Sequence, residues 1–281
     1  MLRRPYIDDP KSRLATWSGR FALFALAVVV LSIIIMRAGI LEIQPALATF
    51  AAALVFAASA VLLAFAAFVA IWRQGLTGLG RAVLGLFLGS ALLAYPAYLA
   101  YRANALPAIT DVTTNTADPP AFDLLARLRP RGSSVYPRAR AAPLQEAAYP
   151  DIAPLETEIS AAIAYRVVLG VVTKRKWLIV DARPPAAPRR AGVIEAVSRT
   201  LIMGFRDDVA IRVSAAGAGA KIDIRSASRY GSHDLGANAA RVRDLLADID
   251  EAMANPPPEP RPEPAKKPAP ARPAPAQPPK R

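Results

Sequence analysis

The sequence predicts an α-helical membrane bundle of three spans, then an α+β domain (helix, four-stranded mainly antiparallel sheet, helix), then a disordered proline-rich tail. Three observations carry that reading. Residues 46–71 hold no charged side chain over 26 positions, more than the roughly 20 residues that cross a bilayer core. Past residue 102 the continuous apolar runs give way to alternation and helical spacing. Of the 27 prolines, 12 fall in the last 27 residues, a stretch that can bury no core.

Composition narrows the function before any motif is read. The 281-residue chain is 53% hydrophobic with a mean hydropathy of +0.26, too oily for an ordinary soluble domain. It has no cysteine and one histidine, His233, which excludes disulfides, thiolate zinc sites, iron–sulfur clusters and multi-histidine metal sites. No cofactor is expected. The net charge of +13 is spread along the chain, and no basic run is interleaved with aromatics, so nucleic acid is excluded as the partner.

Residues 1–16 form a basic N-terminus, with spans following at about 17–37, 46–72 and 82–101. The first uncharged run, 21–36, is short, and a cleavable signal peptide ending at Ala46-Leu47-Ala48 competes with it. The spacing argues against cleavage, because charged residues separate the run from that site and the site opens into another apolar stretch. Arg20 and Arg37 can snorkel from the ends of a true span. Basic residues near the span ends number seven on one side (Arg3, Arg4, Lys11, Arg13, Arg20, Arg73, Arg81) and two on the other (Arg37, Arg102). The positive-inside rule then puts the N-terminus in the cytoplasm and everything from residue 102 in the periplasm, with the bundle in a bacterial inner membrane. Gly85 and Gly89 form a GxxxG, which serves packing within the bundle or a homo-oligomer. The spans carry no buried acid or lysine, which disfavours a transporter or channel.

In the domain, 102–254, residues 155–173 have the spacing of a helix, 177–183 and 192–202 read as strands, and DVAIRV and KIDIRS (208–213, 221–226) form a hairpin turned by 215–219. Facing apolar with apolar pairs Ile211 with Ile224 and Val213 with Ile222, setting Arg212 opposite Asp223 and Arg225 opposite Ala210, with Asp208 diagonal to Arg225. A last helix spans about 235–254, capped by Asp234. Both helices are expected on one face of the sheet.

Four segments, ITDVTT…DPPAF (109–122), YPDIAPL (149–155), GFRDDVAIRV (204–213) and DIRSASRYGSHDLGANAARV (223–242), resemble the bacterial family called "domain of unknown function 1499" over about residues 108–250. The resemblance implies no activity, cofactor or catalytic residue.

The candidate ligand-binding residues are Asp207, Asp208, Arg225, Ser226, Ser228, Arg229, Asp234 and Asn238. Arginines and a helix start suit an anion or polar headgroup. The competing reading is structural: Arg212 pairs with Asp223, Asp208 with Arg225, and Asp234 caps. Asn238 shares a helix face with Leu235, Val242 and Leu245, so its amide is expected to be buried and bonded to the backbone of the RSASRYG turn, with a ligand contact as the alternative. Arg229, at a strand end, is expected to be exposed. Ser232-His233-Asp234 holds the residue types of a hydrolytic triad, but sequence neighbours do not turn into one relay. Asp207 and Asp208 point to opposite faces and make a poor acid–base pair.

The tail, 255–281, samples polyproline II and offers six basic side chains to an envelope protein or polyanion. The chain therefore reads as a membrane-anchored cell-envelope binding or assembly module, bound to the lipid bilayer. The alternative is a membrane-anchored periplasmic enzyme, hydrolase-like, acting on an envelope substrate.

Overall fold

The structure is a computed structural model that describes residues 10–40, 43–129, 138–186 and 190–254. Most of the basic N-terminus and the whole of the expected tail lie outside the described residues.

Helices α1 (Arg13–Ala38), α2 (Ile43–Gln74) and α3 (Leu79–Ala105) are each long and apolar enough to cross a membrane. Their packing puts small residues inside and large apolar ones outside, which is compatible with contact with a lipid bilayer. α1 buries Ala15, Ser18, Ala22 and Ala25, and α2 buries Ala53, Ala57, Ala60 and Ala64, while Phe24, Leu31, Leu62, Phe65 and Phe87 face outward. Lipid tails are as apolar as leucine, so close backbone approach and interhelical hydrogen bonds must hold such helices together. Both operate here: Ser18 donates to the Ala60 carbonyl at 2.8 Å, and Gly85 and Gly89 are buried inside the bundle. A Cβ on Gly85 would overlap Ser18 Oγ of α1, and one on Gly89 would lie 2.7 Å from Val61 of α2. The GxxxG therefore seats α3 against its own two neighbours.

At one end of the bundle the chain before α1 pairs with the α2–α3 connection, Ser12 N–H donating to Thr77 O and Thr77 N–H to Pro10 O. The C-terminal ends of α1 and α3 lie at the other end, where the α+β part sits. That part contains β1 (Asp111–Thr113), α4 (Leu124–Leu128), α5 (Arg138–Ala148), β2 (Leu155–Thr157), α6 (Ala161–Lys174), β3 (Leu178–Arg183), β4 (Gly192–Arg199), β5 (Arg206–Ala216), β6 (Gly219–Ser228) and α7 (Ala237–Met253).

The four strands read from the sequence are β3 to β6, in the antiparallel order β6-β5-β4-β3. Two short strands are added to them: β1 and β2 both pair with β6, at different stretches of its outer edge. The helix expected from residue 155 begins only at Ala161, because Leu155 to Thr157 extend to pair with Ile222 to Ala220. The strand expected to run to 202 ends at Arg199, and the hairpin turn tightens to Gly217 and Ala218. The hairpin register itself is as read, with Ile211 opposite Ile224, Val213 opposite Ile222 and Arg212 opposite Asp223.

The sheet's two faces differ. Val209, Ile211, Val213, Ile222 and Ile224 are fully buried beneath α6 and α7, meeting Val168, Val172, Val242, Leu245 and Ile249. The opposite face is covered too, by the connection 114–123 and α4. Glu195 of β4, 0% exposed, accepts the backbone N–H groups of Asp123 (2.5 Å) and Leu125 (2.6 Å), so it caps α4 from inside the sheet. On the far side of β1, the buried Gln145 of α5 donates to Thr113 O at 2.6 Å and accepts from Thr113 N–H at 3.0 Å.

Candidate functional site

The alternation of β5 and β6 splits the eight candidate residues between the two faces of the sheet. All eight are at most 9% exposed.

Beneath α7 lies the first group. Asp207 accepts from Arg241 at 2.5 Å. The same guanidinium reaches Ser226 Oγ at 2.9 Å and Asn238 Oδ1 at 2.7 Å. Asn238 is fully buried; its amide nitrogen donates to Thr110 O and Ser228 Oγ, both at 3.0 Å, and its Oδ1 also accepts from Ser226 Oγ at 2.8 Å. In place of the expected backbone of the RSASRYG turn, Asn238 bonds two serine side chains of that segment, which lie in strand β6, and its backbone partner is Thr110 just before β1. Asp234 accepts from the backbone of Gly236 (2.9 Å) and Asn238 (3.0 Å), capping α7 from two residues before its Gly236 start. Burial raises the Asp207 carboxyl above its usual range despite Arg241.

On the opposite face the second group forms a buried ion network. Asp208, 0% exposed, accepts from Arg129 at 2.6 Å and from Arg229 at 2.8 Å. Arg225 binds Asp111 through Nε (3.0 Å) and Nη2 (2.7 Å) and gives Nη1 to Pro120 O at 3.1 Å. The Phe122 ring lies 4.5 Å from the Arg225 guanidinium and 4.6 Å from that of Arg129. Burial lifts Asp111 above the ordinary aspartate range, and Arg225 offsets only part of the shift. Arg212 and Asp223 pair as expected, at 2.8 Å, with Asp118 joining from the connection at 2.9 Å.

Two expectations are corrected here. Asp208 does not pair with Arg225: the covering segment 114–129 and strand β1 deliver Arg129 and Asp111, whose geometry beats the diagonal contact across the hairpin. Arg229 is not exposed; at 7% exposure it turns inward to Asp208. Sequence reasoning also passed over Asp111, Phe122, Arg129, Gln145, Glu195 and Arg241. Asp111, Phe122 and Arg241 lay inside the segments carrying the family resemblance, and Glu195 stood out as a lone acid in an apolar strand. Gln145 and Arg129 gave no local signal.

The arrangement limits the chemistry. Asp207 and Asp208 are separated by the sheet and each is held by arginine, so they share no substrate or metal between them. Ser232, His233 and Asp234 do three separate jobs. Ser232 is exposed, and Asp234 caps. His233 Nδ1 accepts from Leu235 N–H at 2.9 Å while Nε2 faces the carbonyls of Ala103 and Leu106 at 3.1 Å, so its proton belongs on Nε2. An open groove of about 410 Å³ between α6 and α7, lined in part by Arg166, Lys174, Asp248 and Glu251, contains none of the candidate residues.

Residues 111–249, which include all of the α+β domain's sheet, match the family described as "Protein of unknown function (DUF1499)". Comparison with curated proteins gives no match.

Proposed function

We propose that this chain is a non-enzymatic module of the bacterial cell envelope. Its three helices span the inner membrane with the N-terminus in the cytoplasm. Residues 102–281 stand in the periplasm, where the DUF1499 domain and the basic tail bind or assemble with an envelope component. The observation that supports the non-enzymatic reading is that Asp207, Asp208 and Asp111 are each engaged by arginine inside the fold, which leaves them closed to a substrate. The orientation is supported by the seven-to-two distribution of basic residues about the spans.

Two measurements test this. A reporter active only outside the cytoplasm, fused after residue 254, should be on, and a signal from a cytoplasm-only reporter there would overturn the topology. Photo-crosslinkers placed at exposed positions of α6, α7 and the tail in living cells should give discrete adducts from one face. Turnover of an ester, amide or phosphodiester envelope substrate by the purified full-length protein, abolished by a substitution that leaves the fold intact, would overturn the non-enzymatic reading.

A further inference from the structure

The loop between β4 and β5, Thr200 to Phe205, carries three large apolar side chains in a row, Leu201, Ile202 and Met203. Leu201 is 88% exposed and Ile202 38%. A soluble domain gains nothing from presenting such a tip to water. The tip is nevertheless built rather than loose: Thr200 N–H donates to Phe205 O at 2.9 Å, Gly204 N–H to Thr200 O at 3.1 Å, and Phe205 N–H to Thr200 Oγ1 at 2.9 Å. Gly204 closes the turn at φ +71°, where a side chain would be strained.

The position of the tip indicates what it meets. Arg37, at the C-terminal end of α1, donates to the carbonyls of Leu201 and Ile202, and the Gly204 backbone lies against the Arg37 side chain. The loop therefore stands at the level where the first span ends, beside lipid. A second contact fixes the same end of the domain: His233 Nε2 reaches the Ala103 and Leu106 carbonyls where α3 ends. At the base of the loop Arg199 and Arg206 pair across the two strands, and both are exposed. Neither has a carboxylate partner among the described residues. An apolar tip with a basic collar is the form that buries in the headgroup boundary of an anionic bilayer.

We propose that the β4–β5 loop is a membrane-insertion tip. Leu201, Ile202 and Met203 enter the interface of the bilayer that holds the chain's own spans, Arg199 and Arg206 engage anionic headgroups, and the domain is held down against the membrane. The inference rests on the helices spanning a bilayer and is independent of the side on which the domain stands.

The chain has no cysteine, so single cysteines can carry an environment-sensitive fluorophore without further substitution. Full-length protein labelled at Leu201→Cys, at Ala218→Cys in the far hairpin turn, or at Phe87→Cys, outward-facing and about a third of the way along α3, is reconstituted into vesicles of 30% phosphatidylglycerol in phosphatidylcholine with spin-labelled quencher lipid. Ala218 lies the length of β5 from the tip, roughly 30 Å, and reports a wet control. The 201 label should be blue-shifted and quenched at least threefold more than the 218 label by a shallow quencher. Arg199→Glu with Arg206→Glu should cut that quenching at least twofold, and the cut should vanish in pure phosphatidylcholine. A 201 label as wet as the 218 label, with the 87 label dry, overturns the tip alone. A wet 87 label overturns the spans and the tip together. Equal quenching of the 201 label with and without the two glutamates in anionic vesicles overturns the role of the arginines.

Discussion

The two faces of the central sheet are built from the same alternating strands and solve burial in opposite ways. Beneath α6 and α7, β-branched side chains meet other apolar side chains over most of the face, and the Asp207–Arg241 pair with Asn238 is confined to the end of it near the start of α7. Beneath the 114–129 segment, Asp111, Asp208 and Asp223 meet Arg225, Arg129, Arg229 and Arg212. The apolar face tolerates imprecision because hydrophobic attraction has no direction. The charged face does not: a buried charge is stable only while its partner is in place, and the pair contributes specificity more reliably than it contributes net stability.

The largest effect should come from breaking one ion pair from one side. Asp208→Ala leaves Arg129 and Arg229 buried against each other and should lower stability by about 3–5 kcal/mol. Thermal unfolding of the full-length protein in detergent, followed by Trp177 fluorescence with Trp17 and Trp72 replaced by phenylalanine, measures it. Replacing Asp208, Arg129 and Arg229 together by leucine and methionine should recover most of that loss. A triple variant no better than the single one would mean that the charges do more than neutralise each other.

On the apolar face, Ile211→Ala should lose about 2–4 kcal/mol through a cavity, and no second substitution on the same face should restore it. Asn238→Leu comes next. It removes one hydrogen bond each from the Thr110 carbonyl and from the hydroxyls of Ser226 and Ser228, and takes the Oδ1 acceptor from Arg241, for an expected loss of about 1–3 kcal/mol by the same measurement. A neutral Asn238→Leu would show that this amide is kept for some purpose other than fastening α7 to the sheet.

The smallest effect is in the pH dependence. Burial raises Asp207, so the folded chain holds its proton more readily than the unfolded one. The stability linked to that proton is present below the ordinary aspartate value of 3.8 and is lost as pH rises through the folded value. Asp207→Asn should flatten this part of the melting temperature–pH curve above pH 3.8. The exposed Asp151, held low by its hydrogen bond to Arg243, has the opposite sign: its contribution is present above 3.8 and is lost as pH falls through the folded value. An Asp207→Asn curve parallel to that of the parent would contradict the burial argument.

The contrast between the faces also explains what was legible in the sequence. The apolar face is a local pattern, and the pairing of Ile211 with Ile224 and Val213 with Ile222 follows from matching hydrophobic to hydrophobic across one turn. The bundle was legible for the same reason, since uncharged length alone marks a span. On the charged face Arg212 and Asp223 lie directly opposite in the hairpin and were legible from its register, but Asp208 draws Arg129 from 79 residues away and Arg225 draws Asp111 from 114. No periodicity encodes such a choice, and for Asp208 the diagonal Arg225 of the hairpin was the wrong answer. Strands β1 and β2 were missed for a related reason: three residues are too few to alternate visibly, and they extend only because β6 offers them an edge.

The clasp of Gln145 on Thr113 has a consequence for how this protein meets copies of itself. A side-chain amide carries the same donor and acceptor as a peptide unit, so at that point β1 is finished as though one more strand lay beside it. A stray strand arriving from another molecule finds both the N–H and the carbonyl of Thr113 already occupied, and the sheet offers no template for growth there. Glutamate in the same place would keep the acceptor and lose the donor, reopening the carbonyl. One glutamine thus closes that stretch of edge to a further strand.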